Sequence, residues 1–327
     1  MDYVIAFVDS NTPGWEEEAE KYAIAEHDAG SLDDDLSGPC RYRKIVPVRL
    51  QVELIRKFMP FINKIFITVP NKEHLAAEDF SGLGDVIIVE NKDHIPEEFL
   101  PTFNAFVVEY FLDRIPGLSD EFIYSNDDVY VSGPLSRTNF IKDDGTIILG
   151  LEAINQYEQK IRNAEDYNDC CARTQLIATK LATGKNTVPT RLMRAQHIPH
   201  IFIKKYMEEA RLELEASGLK MDLSRFRNYC TPRGNLVTLS PPTFFSVFEG
   251  LKSGKYRYRM DGELYALSLY LLSDNFPRVQ NSILHPINKH QKFFVFNDMS
   301  DGRYSMYKWA KTKLDFKTLL EKLLKRK

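Results

Sequence analysis

Short apolar runs alternate with amphipathic stretches through the first half of the chain. Runs of this length that end at polar or turn-forming residues are typical of buried strands, whereas apolar residues three or four apart are typical of helices. The predicted strands are residues 2–8, 64–69, 86–90, 121–125 and 146–152, and the predicted helices are 14–30, 47–58 and 102–115. This alternation indicates an α/β fold with a mixed, mostly parallel, Rossmann-like sheet flanked by helices.

The second half has longer amphipathic stretches and predicts mainly helices. Residues 171–184 and 202–218 each end in glycine, a common helix stop, and the apolar run 261–274 also predicts a helix. Residues 292–298, KFFVFND, return to a strand pattern, and we expect this strand to rejoin the first sheet. The predicted organisation is one domain, with an α/β core (1–155 and 285–300), a helical insertion (156–284) and a C-terminal segment (301–327).

The composition excludes several classes of protein. Hydrophobic residues make up 43% of the 327 residues, enough for a large core, and a net charge of −3 argues against nucleic acid as a partner. The four cysteines match no zinc spacing and predict a reduced, cytoplasmic protein. We expect no signal peptide, and no run in the sequence is long and apolar enough to span a bilayer. The absence of a Gly-rich phosphate loop and of G-x-S-x-G argues against ATPases, Rossmann dehydrogenases and serine hydrolases.

Acidic residues follow three of the predicted strands. They are Asp9, the Asn126-Asp127-Asp128 sequence and the Asn297-Asp298 pair. Ligands of such sheets bind outside the carboxyl ends of the strands, and adjacent carboxylates suit a hard divalent cation that also contacts a diphosphate. These residues therefore predict a metal site. An acidic turn that only keeps a strand end in water is the competing explanation.

A second group of candidates is basic. His197 and His200 in AQHIPHIF (195–202) could bind a metal, transfer a proton or contact phosphate, or they could be two hydrogen-bonded histidines at a helix start. The arginines that could contact phosphate are Arg225 and Arg227 in SRFR, and Arg49 and Arg114 on predicted helices. A guanidinium group matches phosphate oxygens bidentately, but isolated arginines are usually surface residues.

Four separated motifs resemble, in the same order, those of the Stealth proteins. DYVIAFVDSNTPGW resembles the first, and VRLQVELIRKFMPFINKIFITV with HIPEEFLPTFNAFVVEYFLDRIPGLSDEFIYSNDDVYV resembles the second. QHIPHIFIKKYMEE followed by SRFR resembles the third, and KFFVFND resembles the fourth. LPTFN…RIPGLS…FIY-NDD is the most specific part, and the motifs together span Asp2 to Asp298. Stealth proteins are sugar-1-phosphate transferases of bacterial capsule synthesis, related to the animal enzyme that adds N-acetylglucosamine-1-phosphate to lysosomal glycoproteins.

The resemblance implies a sugar-1-phosphate transferase whose α/β core binds a nucleoside-diphosphate sugar, such as a UDP-linked hexose or N-acetylhexosamine. Hexose-1-phosphate passes to a glycan hydroxyl, a phosphodiester forms and nucleoside monophosphate leaves, with Mg²⁺ or Mn²⁺ as cofactor. The resemblance assigns catalysis to His197, His200, Arg227, Asp127 and Asp128, and metal binding to Asp127, Asp128 and Asp298. It assigns substrate or nucleotide binding to Asp9, Arg49, Asn104, Arg114, Asn126, Arg225 and Asn297. The general base stays open between a histidine of this set and Asp127 or Asp128.

The chain departs from the family pattern at several positions. Thr12 replaces a second aspartate of the first motif, Lys44-Ile45-Val46-Pro47 replaces a polar sequence before Arg49, and Glu53 replaces an arginine. No acid follows SRFR closely, since NYCTP comes next. These departures leave donor choice and acceptor binding open. A metal-dependent glycosyltransferase that releases nucleoside diphosphate, and a non-catalytic protein that binds glycan or nucleotide sugar, are the alternatives.

The C-terminal sequence FKTLLEKLLKRK (316–327) is basic and amphipathic. Such a helix could rest on an anionic membrane or pack its leucines on the domain and expose its lysines to water. We expect a cytoplasmic protein, peripheral at the inner face of the cell membrane if this helix binds lipid, that acts on a glycan acceptor which is either lipid-linked or free.

Overall fold

The computed structural model describes residues 1–28, 47–154, 164–227, 234–259, 265–270 and 291–297, together with Glu321 and Lys325. The chain divides into two compact units, which are described separately. The first unit comprises residues 1–2, 91–124 and 137–259, and the second comprises 3–90, 125–136 and 260–327. No helix among the described residues is long and apolar enough to cross a membrane.

Parallel strands form the sheet of the second unit. Strands β1 (Asp2–Ala6), β2 (Ile65–Val69) and β3 (Val86–Glu90) run in the order β3-β2-β1, with Tyr3 opposite Ile65 and Ile65 opposite Val86. Every residue of β2 is buried, as the β-branched and aromatic sequence IFITV predicts for an inner strand. Helices α1 (Trp15–Asp28) and α2 (Val48–Phe58) complete this part of the unit, and the predictions for these elements are confirmed.

A second, three-stranded sheet belongs to the same unit. It consists of β5 (Val129–Val131), β13 (Tyr265–Tyr270) and β14 (Gln291–Asn297) in the order β13-β14-β5. The strand predicted at 292–298 is confirmed, but it pairs with β13 and antiparallel with β5 instead of rejoining the first sheet. The helix predicted at 261–274 is wrong, because residues 265–270 pair with β14 as a parallel strand. A short apolar run fits both patterns, and strand pairing decides between them.

The first unit is richer in helix. Its helices are α3 (Ala105–Tyr110), α4 (Ala164–Thr183), α5 (Lys204–Ala216) and α6 (Pro241–Ser253). Strand β4 (Glu121–Asn126) pairs antiparallel with β9 (His200–Ile203), which places Tyr124 opposite His200. The shorter pairs are β6 (Ile147–Leu149) with β12 (Tyr256–Tyr258), β7 (Leu151–Ala153) with β8 (Met193–Ala195), and β10 (Lys220–Met221) with β11 (Leu236–Val237). Aromatic side chains such as Phe202, Phe244, Phe245 and Phe248 fill the core of this unit.

Three predicted elements end where a distant contact intervenes. The helix predicted at 102–115 stops at Tyr110, because the Tyr110 carbonyl accepts from Arg211 Nη1 at 3.0 Å and the Arg114 N–H turns to the Phe111 carbonyl. The strand predicted at 146–152 is two strands that meet at Gly150, whose backbone lies against the His200 ring. The helix predicted at 202–218 begins only at Lys204, after β9.

These elements confirm the predicted α/β class with a mixed, mostly parallel sheet and helices. The predicted domain boundaries stay a prediction.

Candidate active site

The acidic sequence Asn126-Asp127-Asp128 ends β4 and leads directly into β5. All three residues are half-buried, so their side chains reach solvent at the strand end. The pKa of the fully buried Tyr130 is raised well above its usual value, first by burial and then by the negative charges of Asp127 and Asp128. Negative charge is therefore concentrated at this turn, as the sequence predicted.

Gln51 of α2 fixes this acidic turn from inside the second unit. Its side chain is fully buried, and Nε2 donates to the Asn126 carbonyl at 3.0 Å and to the Val129 carbonyl at 2.8 Å. One amide thus bonds the backbone on both sides of the two aspartates. Sequence reasoning missed Gln51, although its position three residues after Val48 and four before Ile55 on the apolar face was a signal that this polar side chain is buried.

The loop after β1 carries Asp9 and is also held by an unpredicted residue. His74 is buried, and its Nδ1 accepts from the Asp9 N–H at 3.1 Å and lies 3.0 Å from Thr12 Oγ1. Trp15 meets the imidazole edge-on at 4.9 Å between ring centroids. Burial lowers the pKa of His74, which keeps Nδ1 available as an acceptor. Thr12, the departure from the family pattern, therefore has a structural partner in this chain.

Glu109 of α3 is a buried acid of the first unit, and the charges of the predicted residues His197 and Arg227 act on it. It is 4% exposed, and Oε1 accepts from the Tyr124 hydroxyl at 3.0 Å, while no described residue donates to Oε2. Burial raises the pKa of Glu109 to about 7, although Arg227, Tyr124 and His197 each act to lower it. A carboxyl with this pKa can accept or donate a proton near neutral pH. Sequence reasoning missed it, because a glutamate within an apolar helix is indistinguishable from a solvated one.

The two predicted histidines have different environments. His197 is exposed, whereas His200 is 5% exposed and lies in β9 rather than before a helix. His200 Nε2 donates to the Gln196 carbonyl at 2.8 Å, and Nδ1 has no hydrogen-bond partner among the described residues. Burial lowers the pKa of His200 to about 4, so this ring is neutral at pH 7 with an unprotonated Nδ1.

Asn104 joins the second and third motifs within the first unit. Its Oδ1 caps α3 by accepting from the Phe106 N–H, and its Nδ2 donates to the carbonyls of Ser224 and Phe226 at 2.9 and 3.3 Å. This bond brings the SRFR segment to the start of the helix that carries Glu109. Asn104 and Arg227, which were each predicted as site residues, therefore lie near Glu109 in the first unit.

The predicted arginines differ in what they contact. Arg227 lies over the Phe106 ring at 4.6 Å, and Arg225 Nη2 donates to the Leu100 carbonyl at 3.3 Å. Arg114 is exposed, lies in a 3-10 turn and packs on the Phe111 ring at 4.9 Å. Arg49, in the second unit, is paired with Glu53 at 2.7 Å. Glu53, which stands where the family has arginine, therefore has a structural partner in Arg49.

The acidic turn fits the predicted metal in its donor chemistry. Among the described residues there is no group of three or more His, Cys, Asp or Glu side chains that could hold an ion. Mg²⁺ needs only one or two protein carboxylates when substrate phosphates and water complete its shell, so Asp127 and Asp128 suffice as the protein ligands. Asn297 ends β14, and Asp298 lies outside the described residues.

Comparison with known proteins supports the motif resemblance over part of the chain. Residues 41–148 match the family model described as Stealth protein CR2, conserved region 2. The capsular polysaccharide phosphotransferase fcs1 of Haemophilus influenzae is 32% identical over 165 residues, which cover 49% of this chain and 43% of that protein. A capsular polysaccharide phosphotransferase of Neisseria meningitidis serogroup B is 32% identical over 165 residues, covering 50% and 42%. The matched region is thus less than half the length of each relative.

Likeness to solved structures is distant. The galactosyltransferase LgtC aligns over 100% of this chain and 98% of its own, with 11% identity and a TM-score of 0.38. Mouse xyloside xylosyltransferase 1 aligns over 90% and 97%, with 13% identity and a TM-score of 0.41. The family match confirms the predicted resemblance for the second motif: residues 41–148 of the chain match conserved region 2 of the Stealth proteins.

Proposed function

We propose that the protein transfers hexose-1-phosphate from a nucleoside-diphosphate sugar to a glycan hydroxyl and releases nucleoside monophosphate. The observation that carries the proposal is that conserved region 2 contains both the acidic turn, with Asp127 and Asp128, and the buried Glu109. The relatives that share this region are named capsular polysaccharide phosphotransferases, which supports a product in capsule or cell-surface polysaccharide.

In this proposal Asp127, Asp128 and Asp298 would hold Mg²⁺ or Mn²⁺. When bound, the ion supplies positive charge to the donor diphosphate, which phosphoryl transfer requires more than it requires covalent catalysis. Asp9, Asn126 and Asn297 bind the nucleotide side of the donor. Gln51 and His74 act only by holding the acidic turn and the Asp9 loop in place.

The acceptor hydroxyl attacks the phosphorus attached to the sugar. A P–O bond forms to the acceptor, the bond to the bridging oxygen of the diphosphate breaks, and that oxygen leaves with the nucleoside monophosphate. The hydroxyl proton passes to a general base, and His197, His200, Asp127 and Asp128 remain candidates. Glu109 joins them, because its pKa of about 7 leaves much of it ionised at neutral pH.

Arginines would neutralise the phosphate charge that develops during transfer. Arg227 is placed in this role because its charge acts directly on Glu109, and Arg49, Arg114 and Arg225 are supporting candidates. Asn104 supports catalysis by fixing the segment that carries Arg227.

The test incubates the purified protein with Mg²⁺ or Mn²⁺, UDP-sugars and a glycan acceptor, and separates the released nucleotides by chromatography. We expect UMP to accumulate with the wild type, and we expect Asp127→Asn and His197→Ala each to lower the rate at least about tenfold. Glu208→Gln, at an exposed residue of α5 outside the proposed catalytic and binding groups, serves as the control and should keep most of the rate. Accumulation of UDP would instead establish glycosyl transfer, and donor binding without turnover would establish a binding protein.

A further inference from the structure

The first unit has an exposed apolar segment that contains none of the predicted catalytic residues. Among the described residues six large hydrophobic side chains are exposed, and three of them, Leu176, Val188 and Leu192, fall between residues 176 and 192. Val188 is the most exposed of the six, at 78%. Single exposed apolar residues are ordinary, but three on one short segment need a partner or carry a cost in water.

The same segment is basic. Lys180, Lys185 and Arg191 are exposed, and the segment contains no Asp or Glu. The absence of acid extends from Cys170 to Met207, where the chain has seven Lys or Arg residues and no acidic one. A protein with a net charge of −3 thus concentrates positive charge in this stretch.

The segment leaves the end of α4 and is bonded back to the same helix through Gln175, so its exposed residues lie beside one helix. At its start the Gly184 N–H donates to the Lys180 carbonyl at 2.8 Å, which ends the helix. At its end Gln175 bonds both the Arg191 carbonyl, at 3.3 Å, and the Met193 N–H, at 2.9 Å. Gln175 and Thr183, the last residue of the helix, are roughly 12 Å apart along the helix axis. The loop that carries Val188 therefore returns within about two turns of its departure.

We propose that this surface, formed by Leu176, Lys180, Lys185, Val188, Arg191 and Leu192, docks the protein on an anionic lipid bilayer. Apolar side chains at the tip of a basic surface suit the boundary between lipid headgroups and acyl chains, where lysine and arginine contact headgroup phosphates. A polyanionic glycan would match the positive charge but would leave Val188 and Leu192 without an apolar environment. Peripheral docking at this surface is independent of the C-terminal segment and of the proposed catalytic reaction.

The experiment is sedimentation of the full-length chain with vesicles of phosphatidylglycerol and phosphatidylcholine, against vesicles of phosphatidylcholine alone. The wild type is expected to bind the anionic vesicles, and the triple variant Lys180→Glu, Lys185→Glu, Arg191→Glu is expected to bind at least about tenfold more weakly. The matched control is Lys21→Glu, Lys72→Glu, Lys220→Glu, which makes the same change of charge at exposed lysines elsewhere and should bind within about twofold of the wild type.

A second variant separates a bilayer from a soluble polyanion. Val188→Ser with Leu192→Ser should also weaken vesicle binding although the charge is unchanged, whereas Leu212→Ser, at a 59% exposed leucine of α5, should not. The proposal is overturned if the wild type does not bind anionic vesicles, or if the basic triple variant binds as its control does. It is also overturned if the basic variant loses binding while the Val188 and Leu192 variant keeps it, because the surface would then recognise charge alone. Circular dichroism of each variant confirms folding, and no step requires donor or turnover.

Discussion

Replacing Gln51 by leucine tests whether one buried amide holds the acidic turn. Leucine is close to glutamine in size and suits the apolar face of α2, but it cannot donate to the carbonyls of Asn126 and Val129. The Val129 carbonyl bond is buried and the Asn126 bond is partly buried, so the two carbonyls differ in how readily water replaces the lost donor.

The expected loss follows from the two bonds. A buried acceptor left without a donor costs about 1–3 kcal/mol. The partly buried Asn126 carbonyl costs less than this maximum because water can replace its donor, so the pair costs roughly 2–4 kcal/mol. Two gains offset part of this loss: leucine buries apolar surface, and it removes Gln51 Oε1, which has no partner among the described residues. Together these gains return on the order of 1 kcal/mol, so a net loss of about 2 kcal/mol is expected.

The assay is urea unfolding followed by circular dichroism, with hydrogen exchange of residues 122–131 as a local measurement. Gln51→Leu should lower the free energy of unfolding and speed exchange of the acidic turn, whereas Glu53→Gln on the same helix should change stability by less than about 0.5 kcal/mol. Exchange that stays at the wild-type rate in Gln51→Leu, with stability unchanged, would show that Gln51 does not hold the turn.

Three further predictions concern buried charges. Burial raises the pKa of Glu249 well above its usual value, so the contribution of Glu249 to stability is present below about pH 4.5 and is lost as pH rises. Glu249→Gln should therefore stabilise the protein more at pH 8 than at pH 5. An equal effect at both pH values would contradict the raised pKa. Burial lowers the pKa of His94 to about 4, so the free energy of unfolding should fall by up to roughly 3 kcal/mol as pH drops from 6.5 towards 4. In urea unfolding, His94→Gln should show a smaller fall over the same pH range. Arg211→Met should cost about 3–5 kcal/mol in thermal or urea unfolding, because Asp113 would be left buried without its partner, and adding Asp113→Leu should restore much of the loss; a double variant no better than the single one would refute the pairing.

The sequence predicted the local elements better than their ends. Helix α2 follows from the helical spacing of its apolar residues, and strands β2 and β3 follow from short apolar runs; both patterns can be recognised from neighbouring residues in the chain. The end of α3 does not, because the side chain that takes the Tyr110 carbonyl comes from Arg211, 101 residues away. Strand β13 was predicted as a helix for the same kind of reason: its partner β14 lies beyond any local pattern.

The candidate site was predicted in its charged residues but not in what supports them. Asp127 and Asp128 were identified because adjacent acids after an apolar strand are unusual in sequence. Glu109 and His74 were missed, because a polar residue on a helix or in a loop gives no sign that it is buried until its distant partners are known. Gln51 was missed although its helical spacing from Val48 and Ile55 signalled its burial. Burial raises the pKa of Glu109, and the buried amide of Gln51 holds the acidic turn through its hydrogen bonds to the Asn126 and Val129 carbonyls.

The most direct test of the central claim follows the phosphorus atom attached to the sugar. A UDP-sugar labelled with ³²P in the phosphate next to the sugar is incubated with the protein, a divalent metal and a glycan acceptor, and the glycan is separated from the nucleotides. Sugar-1-phosphate transfer predicts that the label enters the glycan and that unlabelled UMP is released in equal amount. Label recovered in UDP, with an unlabelled glycan product, would contradict the proposal and assign the protein to glycosyl transfer.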